Sequence, residues 1–165
     1  MPQFEDHIAQ AERNFRILEQ VNKHIHNSQD WQVTIIFYTA LHLVNAHTAK
    51  VGLQYRKHSD VMHAINPFNT TSLAKLDENI YVAYESLMSL SRRSRYLVNP
   101  DVLNSTKAAK TQNKHVAKAV RELDKIIDYF TQMYKLTFTK ATIDCDSLSA
   151  NTELKHIQKK IYTVP

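Results

Sequence analysis

Histidine and arginine are the side chains here that could do chemistry, and their spacing decides which chemistry. The chain has nine histidines in 165 residues. The close pairs are two or five residues apart: His24 with His26, His42 with His47, and His58 with His63. A metalloprotease helix needs histidines at i and i+4, and a di-iron bundle needs paired Glu-x-x-His motifs, whereas a single such motif ends at His156. The sequence therefore predicts neither a metal centre nor a cofactor.

Glycine and cysteine usage excludes further kinds of site. The single Gly52 rules out a glycine-rich phosphate loop and a serine-hydrolase nucleophile elbow, because both need several glycines. The single Cys145 rules out a disulfide within the chain and a thiolate zinc site. The N-terminal MPQFEDHIAQ lacks the basic and apolar regions of a signal peptide, and residues 33–44 are too short an apolar run to cross a bilayer. We expect a soluble, cytoplasmic protein without membrane contact.

Positive charge is concentrated on the last long helical stretch. Six cations share one side of that helix: Lys107, Lys110, Lys114, Lys118, Arg121 and Lys125. The formal net charge is +5 at pH 7 and the pI is about 9.3. This stripe is either a solvated face or a track for a polyanion such as nucleic acid, whose counterions the lysines would displace.

Arginines also close the preceding helix, in the segment SRRSRYL. Arg92, Arg93 and Arg95 suit the negative end of a helix dipole. With Tyr96 beside them, they could instead clamp a phosphate and stack a base. The two interpretations differ in whether an anion is bound.

A third polar group lies at helical spacing in the segment WQVTIIFYTALHLVNAH, residues 31–47. Tyr38, His42 and Asn45 share one edge of this segment. They form either a satisfied hydrogen-bond network in the core or the polar wall of a ligand pocket.

The elements that carry these side chains follow from the apolar pattern. One glycine and four prolines in 165 residues favour an all-α fold over a β-sandwich. The spacing predicts helices over residues 3–26, from about 28 to the Gly52 turn, and from a Ser59 cap to about residue 66. It predicts a fourth helix launched by residues 69–72 with Leu73 facing inward, and a last helix from Ser105 to about residue 136. We expect one helical bundle over residues 1–137 and a tail over 138–165 that contains a brief helix near 152–161.

Part of the chain resembles the HEPN superfamily of small prokaryotic helical domains. The resemblance covers roughly Trp31 to Leu97, in WQVTIIFYTALHLVNAHTAKVGL, the segment from Tyr55 to His63, and IYVAYESLMSLSRRSRYL. Its most specific elements are the aromatic-Tyr-x-Ala-Leu-His motif ending at His42, the later His58, and the Arg-Tyr ending. The resemblance implies an up-and-down antiparallel bundle of four long helices, often paired as a homodimer, with RNA as the usual ligand or substrate.

Active members of that superfamily carry an arginine followed after four to six residues by a histidine, and here Arg56 and His63 meet that interval. This pair straddles a loop and a short helix instead of opening a later long helix, and Val61 and Met62 occupy a neighbourhood that holds arginines in the most similar subgroup. The first hypothesis is therefore a non-enzymatic module that contacts RNA, a nucleotide or a partner protein through Arg56, His58, His63 and the arginines of SRRSRYL. The alternatives are a metal-independent endoribonuclease of a toxin–antitoxin or defence system, with Arg56 and His63 catalytic, and a structural adaptor or antitoxin-like partner.

Overall fold

The computed structural model describes residues 2–96, 105–149 and 153–160, and this part of the chain is mostly helical. The described elements are α1 (Phe4–His24), α2 (Gln29–Lys50), α3 (His58–Ile65), α4 (Glu78–Tyr96), α5 (Ser105–Tyr134), β1 (Ala141–Ile143) and β2 (Ile157–Lys159). The expectation of an all-α protein is confirmed in this coarse form. Within the described residues, no helix combines the length and the hydropathy that a membrane crossing requires.

Helix α2 is the centre of the structure. It packs against α1, α4 and α5. Its buried residues lie all around its circumference, which explains why residues 31–47 are rich in aromatic and β-branched side chains. The helix ends shortly before Gly52, whose φ of +78° places it in the left-handed region that glycine tolerates without a Cβ penalty. The predicted helix and its end at the Gly52 turn are therefore confirmed.

The connection from α3 to α4 corrects two predicted helix starts. Lys57, not Ser59, is the N-cap residue of α3. The side chain of Asn69 accepts a hydrogen bond from the backbone N–H of Thr71, so this polar cluster stabilises a turn inside the connection instead of opening a helix. Helix α4 begins later, at Glu78, and Leu73 is 76% exposed, so its predicted inward orientation is wrong.

Helix α5 is amphipathic over the part whose side chains are described. Lys114, Lys118 and Lys125 are exposed. The opposite face belongs to the core: Val116, Val120, Leu123, Ile127 and Phe130 are buried. The side chains of Lys107 and Lys110 lie outside the described ones. The apolar face explains why α5 packs against both α2 and α4.

The tail forms strand where a helix was expected. β1 and β2 pair in parallel, with Ala141 opposite Ile157, so the predicted brief helix near 152–161 is wrong over the described residues 157–159. The carboxylate of Asp124 on α5 accepts hydrogen bonds from the backbone N–H groups of Lys155 and His156, which holds the second strand against the helix. Ile157 belongs to the same hydrophobic cluster as the helices. The division of the chain near residue 137 stays a prediction.

Candidate functional site

Three cationic or titratable side chains lie together where α3 begins and α4 ends. His58 is the first residue of α3, and Arg92 and Arg95 lie in the last turns of α4. Partial burial, then the charge of Arg92 and then that of Arg95, lower the pKa of His58. We call these three electrostatically coupled residues the cation cluster: His58, Arg92 and Arg95.

The imidazole of His58 packs against an aromatic group that consists of Phe37, Tyr38 and Tyr84. We call this group the aromatic floor. The ring of His58 lies edge-on to Phe37 of α2, with 5.5 Å between the ring centroids. Phe37 is 1% exposed and also contacts Tyr38 at 5.6 Å and Tyr84 at 5.8 Å between centroids. Aromatic contacts at these separations are favourable beyond their burial. The central helix therefore fixes one face of His58 and leaves the arginines of α4 beside it.

The arginines at the end of α4 divide between two sides. Arg92 and Arg95 are three residues apart and share one face of the helix, which is the face beside His58. The Nε–H of Arg95 donates a hydrogen bond to the carbonyl oxygen of Ser91 at 3.3 Å. The charge of Arg93 instead acts on His115 of α5, whose pKa is lowered by burial first and then by the charges of Arg93 and Lys118. The side chain of Tyr96 lies outside the described ones.

The predicted catalytic pair, Arg56 and His63, has a different setting. Both side chains are exposed. Five residues along a helix correspond to a rotation of about 140°, so His63 leaves α3 far around the axis from His58. The buried face of α3 carries Val61, Ala64 and Ile65. Among the hydrogen bonds, ion pairs and ring contacts of the described residues, none joins Arg56 to His63 or either of them to the cation cluster.

The three residues of the predicted polar edge of α2 do not form one group in the structure. Nδ1 of His42 is 3.2 Å from Nδ1 of His7 on α1, so one ring donates a hydrogen bond and the other accepts it. Burial first, and for His42 also the neighbouring His7, lower the pKa of both imidazoles. Tyr38 is half-buried against Phe37, and Asn45 is half-buried with its carbonyl accepting from Thr48. His42 thus belongs to the α1–α2 interface, and Tyr38 to the aromatic floor.

A buried histidine that the sequence interpretation did not single out lies deeper in the same helix. Nε2 of His47 is 3.2 Å from the carbonyl oxygen of Ala74, and its Nδ1 is 2.6 Å from the hydroxyl of Tyr134. A carbonyl oxygen only accepts, so Nε2 carries the proton and Nδ1 accepts from Tyr134. Both ring nitrogens are used, which makes His47 structural. Its position in line with the core residues of α2 is the signal that could have found it.

Two further residues near the cation cluster were also missed. His115 on α5 is half-buried beside Arg93, and Trp31 on α2 is 63% exposed in a cleft that Arg95 also lines. The apolar pattern could not predict that Trp31 is exposed, because the residue type tryptophan by itself suggests burial. Among the described residues, no group of three or more histidines, cysteines and carboxylates is placed to hold a metal ion.

Comparison of the chain with protein-family models, with curated proteins and with solved structures finds no match in any of the three. The arrangement of side chains that suggests a ligand is the cation cluster beside the aromatic floor. Two guanidinium groups beside an imidazole can bind an oxyanion, because guanidinium matches the geometry of a phosphate with paired N–H donors.

Proposed function

We propose that this chain is a HEPN-like, non-enzymatic RNA-binding module of a prokaryotic cell. In this proposal the helices form an up-and-down bundle that pairs as a homodimer in the cytoplasm. The cation cluster holds the phosphates of single-stranded RNA. The motifs between Trp31 and Leu97 support the choice of RNA, and the residues of the cluster support the choice of a phosphate ligand.

The observation that carries the proposal is the convergence of His58, Arg92 and Arg95. Both arginines are exposed, and their charges disfavour a third positive charge on His58. A bound phosphate would offset that repulsion and favour the protonated imidazole, which then adds a further N–H donor. RNA affinity should therefore increase as the pH falls towards the ordinary pKa of histidine, 6.5.

The exposure and position of His63 support binding over cleavage. A general acid or base must reach the atom whose proton it transfers. His63 leaves α3 far around the axis from His58, so a phosphate on the cation cluster would not lie against it. The proposed roles are thus phosphate binding for Arg92 and Arg95 and a proton-linked contact for His58, with no catalytic role for Arg56 and His63.

The test measures the fluorescence anisotropy of a labelled single-stranded RNA at about 50 mM and about 200 mM salt. Two neutralised phosphates predict an affinity loss of about five- to tenfold over this range. Arg92→Ala/Arg95→Ala should weaken binding by about tenfold or more. The matched control is Arg13→Ala/Arg16→Ala, which removes the same charge from exposed positions on α1.

Three outcomes would count against the proposal. Equal weakening by both double variants would assign binding to net charge and not to the cation cluster. Absence of binding by the wild-type chain at the lower salt concentration would leave the adaptor alternative. Cleavage of the RNA in EDTA by the wild-type chain, lost in His63→Ala, would replace the binding module with the endoribonuclease.

The homodimer is tested separately by light scattering on the eluting protein. One chain has a mass of 19.1 kDa. A dimer doubles this value at the concentrations used for RNA binding, whereas the single-chain mass would remove the pairing from the proposal and leave the cation cluster as a site within one chain.

A further inference from the structure

Trp31 is exposed to an unusual degree for the largest aromatic side chain. It is the only tryptophan of the chain and is 63% exposed near the start of α2. Tryptophan is highly buried on average, and where one stays exposed it often serves as an anchor for a partner. Its surroundings therefore decide what kind of partner it would suit.

A surface cleft of about 280 Å³ lies beside this tryptophan. Its lining comes from the start of α2 and the end of α4: Asp30, Trp31, Thr34, Ser94 and Arg95. The hydroxyl of Thr34 donates to the carbonyl oxygen of Asp30 at 2.9 Å, so its proton is already used. The residues that line the cleft thus include a tryptophan, an aspartate and an arginine, around a space large enough for a flat heterocycle.

The cleft and the cation cluster share Arg95. This residue lines the cleft with Trp31, and its charge acts on His58 in the cation cluster. A chain that carries phosphates at the cluster would therefore have its neighbouring groups within reach of the cleft. In a single-stranded nucleic acid the neighbouring group is a nucleobase, and unpaired bases stack on aromatic side chains.

We propose that Trp31 stacks an unpaired base of the bound RNA and that Asp30 selects guanine for this position. This inference rests on the proposed function. A carboxylate only accepts hydrogen bonds, and guanine presents two adjacent donors, the N1–H and the exocyclic amino group, on its Watson–Crick edge. Uracil presents a single N–H donor between two carbonyl oxygens, which a carboxylate would repel.

The sole tryptophan makes the site directly observable. The experiment titrates oligo(U) that contains one central G, A or C, and follows both tryptophan fluorescence and the anisotropy of a label on the oligomer. Every oligomer that binds should quench the fluorescence, and the one with guanine should bind about tenfold more tightly. Trp31→Ala should weaken binding by about tenfold, whereas Phe68→Ala, a control at an aromatic residue that is 74% exposed, should leave it unchanged.

The role of Asp30 is tested by Asp30→Asn. The variant should lose the preference for guanine and bind the other oligomers at least as well as the wild-type chain, because a negative charge beside phosphates has been removed. Equal affinity of the wild-type chain for all three bases would overturn guanine selection. A tenfold preference retained by the variant would overturn the assignment to Asp30.

The failure of this inference can be distinguished from failure of the proposed function. Salt-sensitive anisotropy without any change in fluorescence, together with wild-type affinity of Trp31→Ala, would overturn the stacking site and leave the RNA-binding module intact. An absence of binding in both measurements would overturn both. Equal affinity for single-stranded DNA of the same sequences would overturn RNA as the specific ligand.

Discussion

His47 and His58 are eleven residues apart in the sequence and show how the same side chain comes to different uses. His47 is 6% exposed, and both of its ring nitrogens are hydrogen-bonded, to Tyr134 and to the carbonyl of Ala74. His58 is half-buried, packs against Phe37, and lies beside Arg92 and Arg95. The first completes a core network and the second forms part of a charged surface.

The pKa of both histidines is lowered, so the direction of the shift alone does not identify a site. For His47 burial lowers the pKa, and the backbone hydrogen bond to Ala74 opposes that effect. For His58 burial is joined by the charges of two arginines. An anion near His58 would reverse part of this effect, whereas both ring nitrogens of His47 already have hydrogen-bond partners within the protein. The physical cause of the pKa shift therefore distinguishes a buried, hydrogen-bonded imidazole from one that lies under the influence of two arginine charges.

The largest expected effect in this comparison is that of His47→Ala. The substitution leaves a cavity in the core and removes the partner of Tyr134, so we expect a loss of about 2–4 kcal/mol in the free energy of unfolding. Urea denaturation measures this loss. His63→Ala is the matched control, since an exposed histidine should change the stability by less than about 0.5 kcal/mol. Similar losses in the two variants would mean that the hydrogen bonds of His47 add nothing to the free energy of unfolding.

The second expected effect is a loss of stability in mild acid. The pKa values of His7, His42, His47, His58 and His115 are all lowered in the folded chain. A group whose folded pKa lies below its unfolded value takes up protons more readily when unfolded. Stability should therefore begin to fall as the pH drops through 6.5, the ordinary histidine value, and continue to fall towards the folded values.

The measurement is the urea midpoint at intervals from about pH 7.5 to about pH 5, a range in which histidines titrate. Burial opposes the lowering of the Asp128 pKa, but its hydrogen bonds to Lys155 and Gln132 outweigh burial and keep the pKa below its ordinary value of 3.8. The stability that Asp128 contributes is therefore lost only below about pH 4, in a more acidic range than that of the histidines. His42→Gln should reduce the slope, because it removes one imidazole of the His7 pair. A midpoint that stays constant or rises in acid would contradict the expectation.

The third and smallest of these predicted effects on stability, apart from the His63→Ala control, is that of His58→Ala. One face of this ring is open to the arginines, so the free energy of unfolding should fall by about 1 kcal/mol or less. RNA affinity at about pH 6 should fall more than affinity at about pH 8, because only the protonated imidazole adds a charged donor. A loss of stability as large as that of His47→Ala, with unchanged pH dependence of binding, would show that His58 has the same structural role as His47.

Much of the helical architecture could be predicted, because it depends on local periodicity. Phe15 and Leu18 on α1, and Val120 and Leu123 on α5, lie at helical spacing and are buried. The start of α4 could not be placed in the same way. Residues such as Asn69 favour helix caps and turns equally, and only the surrounding packing selected the turn. The prediction for the tail was wrong for a related reason. β1 forms only with a partner strand more than ten residues away, and local spacing does not reveal that partner.

The candidate site was predictable in its residue types more than in its arrangement. The sequence named His58 and the arginines of SRRSRYL, but three arginines within four residues gave no indication that the charge of Arg93 would act on His115 while those of the other two act on His58. His63 was equally eligible as a site residue by type. The rotation around a short helix separates it from His58, and the orientation of that helix depends on packing.

By itself the sequence determined that this chain is helical, that α2 is buried on most sides, and that cations gather at the end of α4, because spacing and composition act locally along the chain. The tertiary structure decided which histidine is hydrogen-bonded in the core, which one lies beside two arginines, and that Trp31 borders a cleft with Arg95. Those outcomes depend on how distant helices pack, and packing selects among residues that look equivalent in the linear sequence.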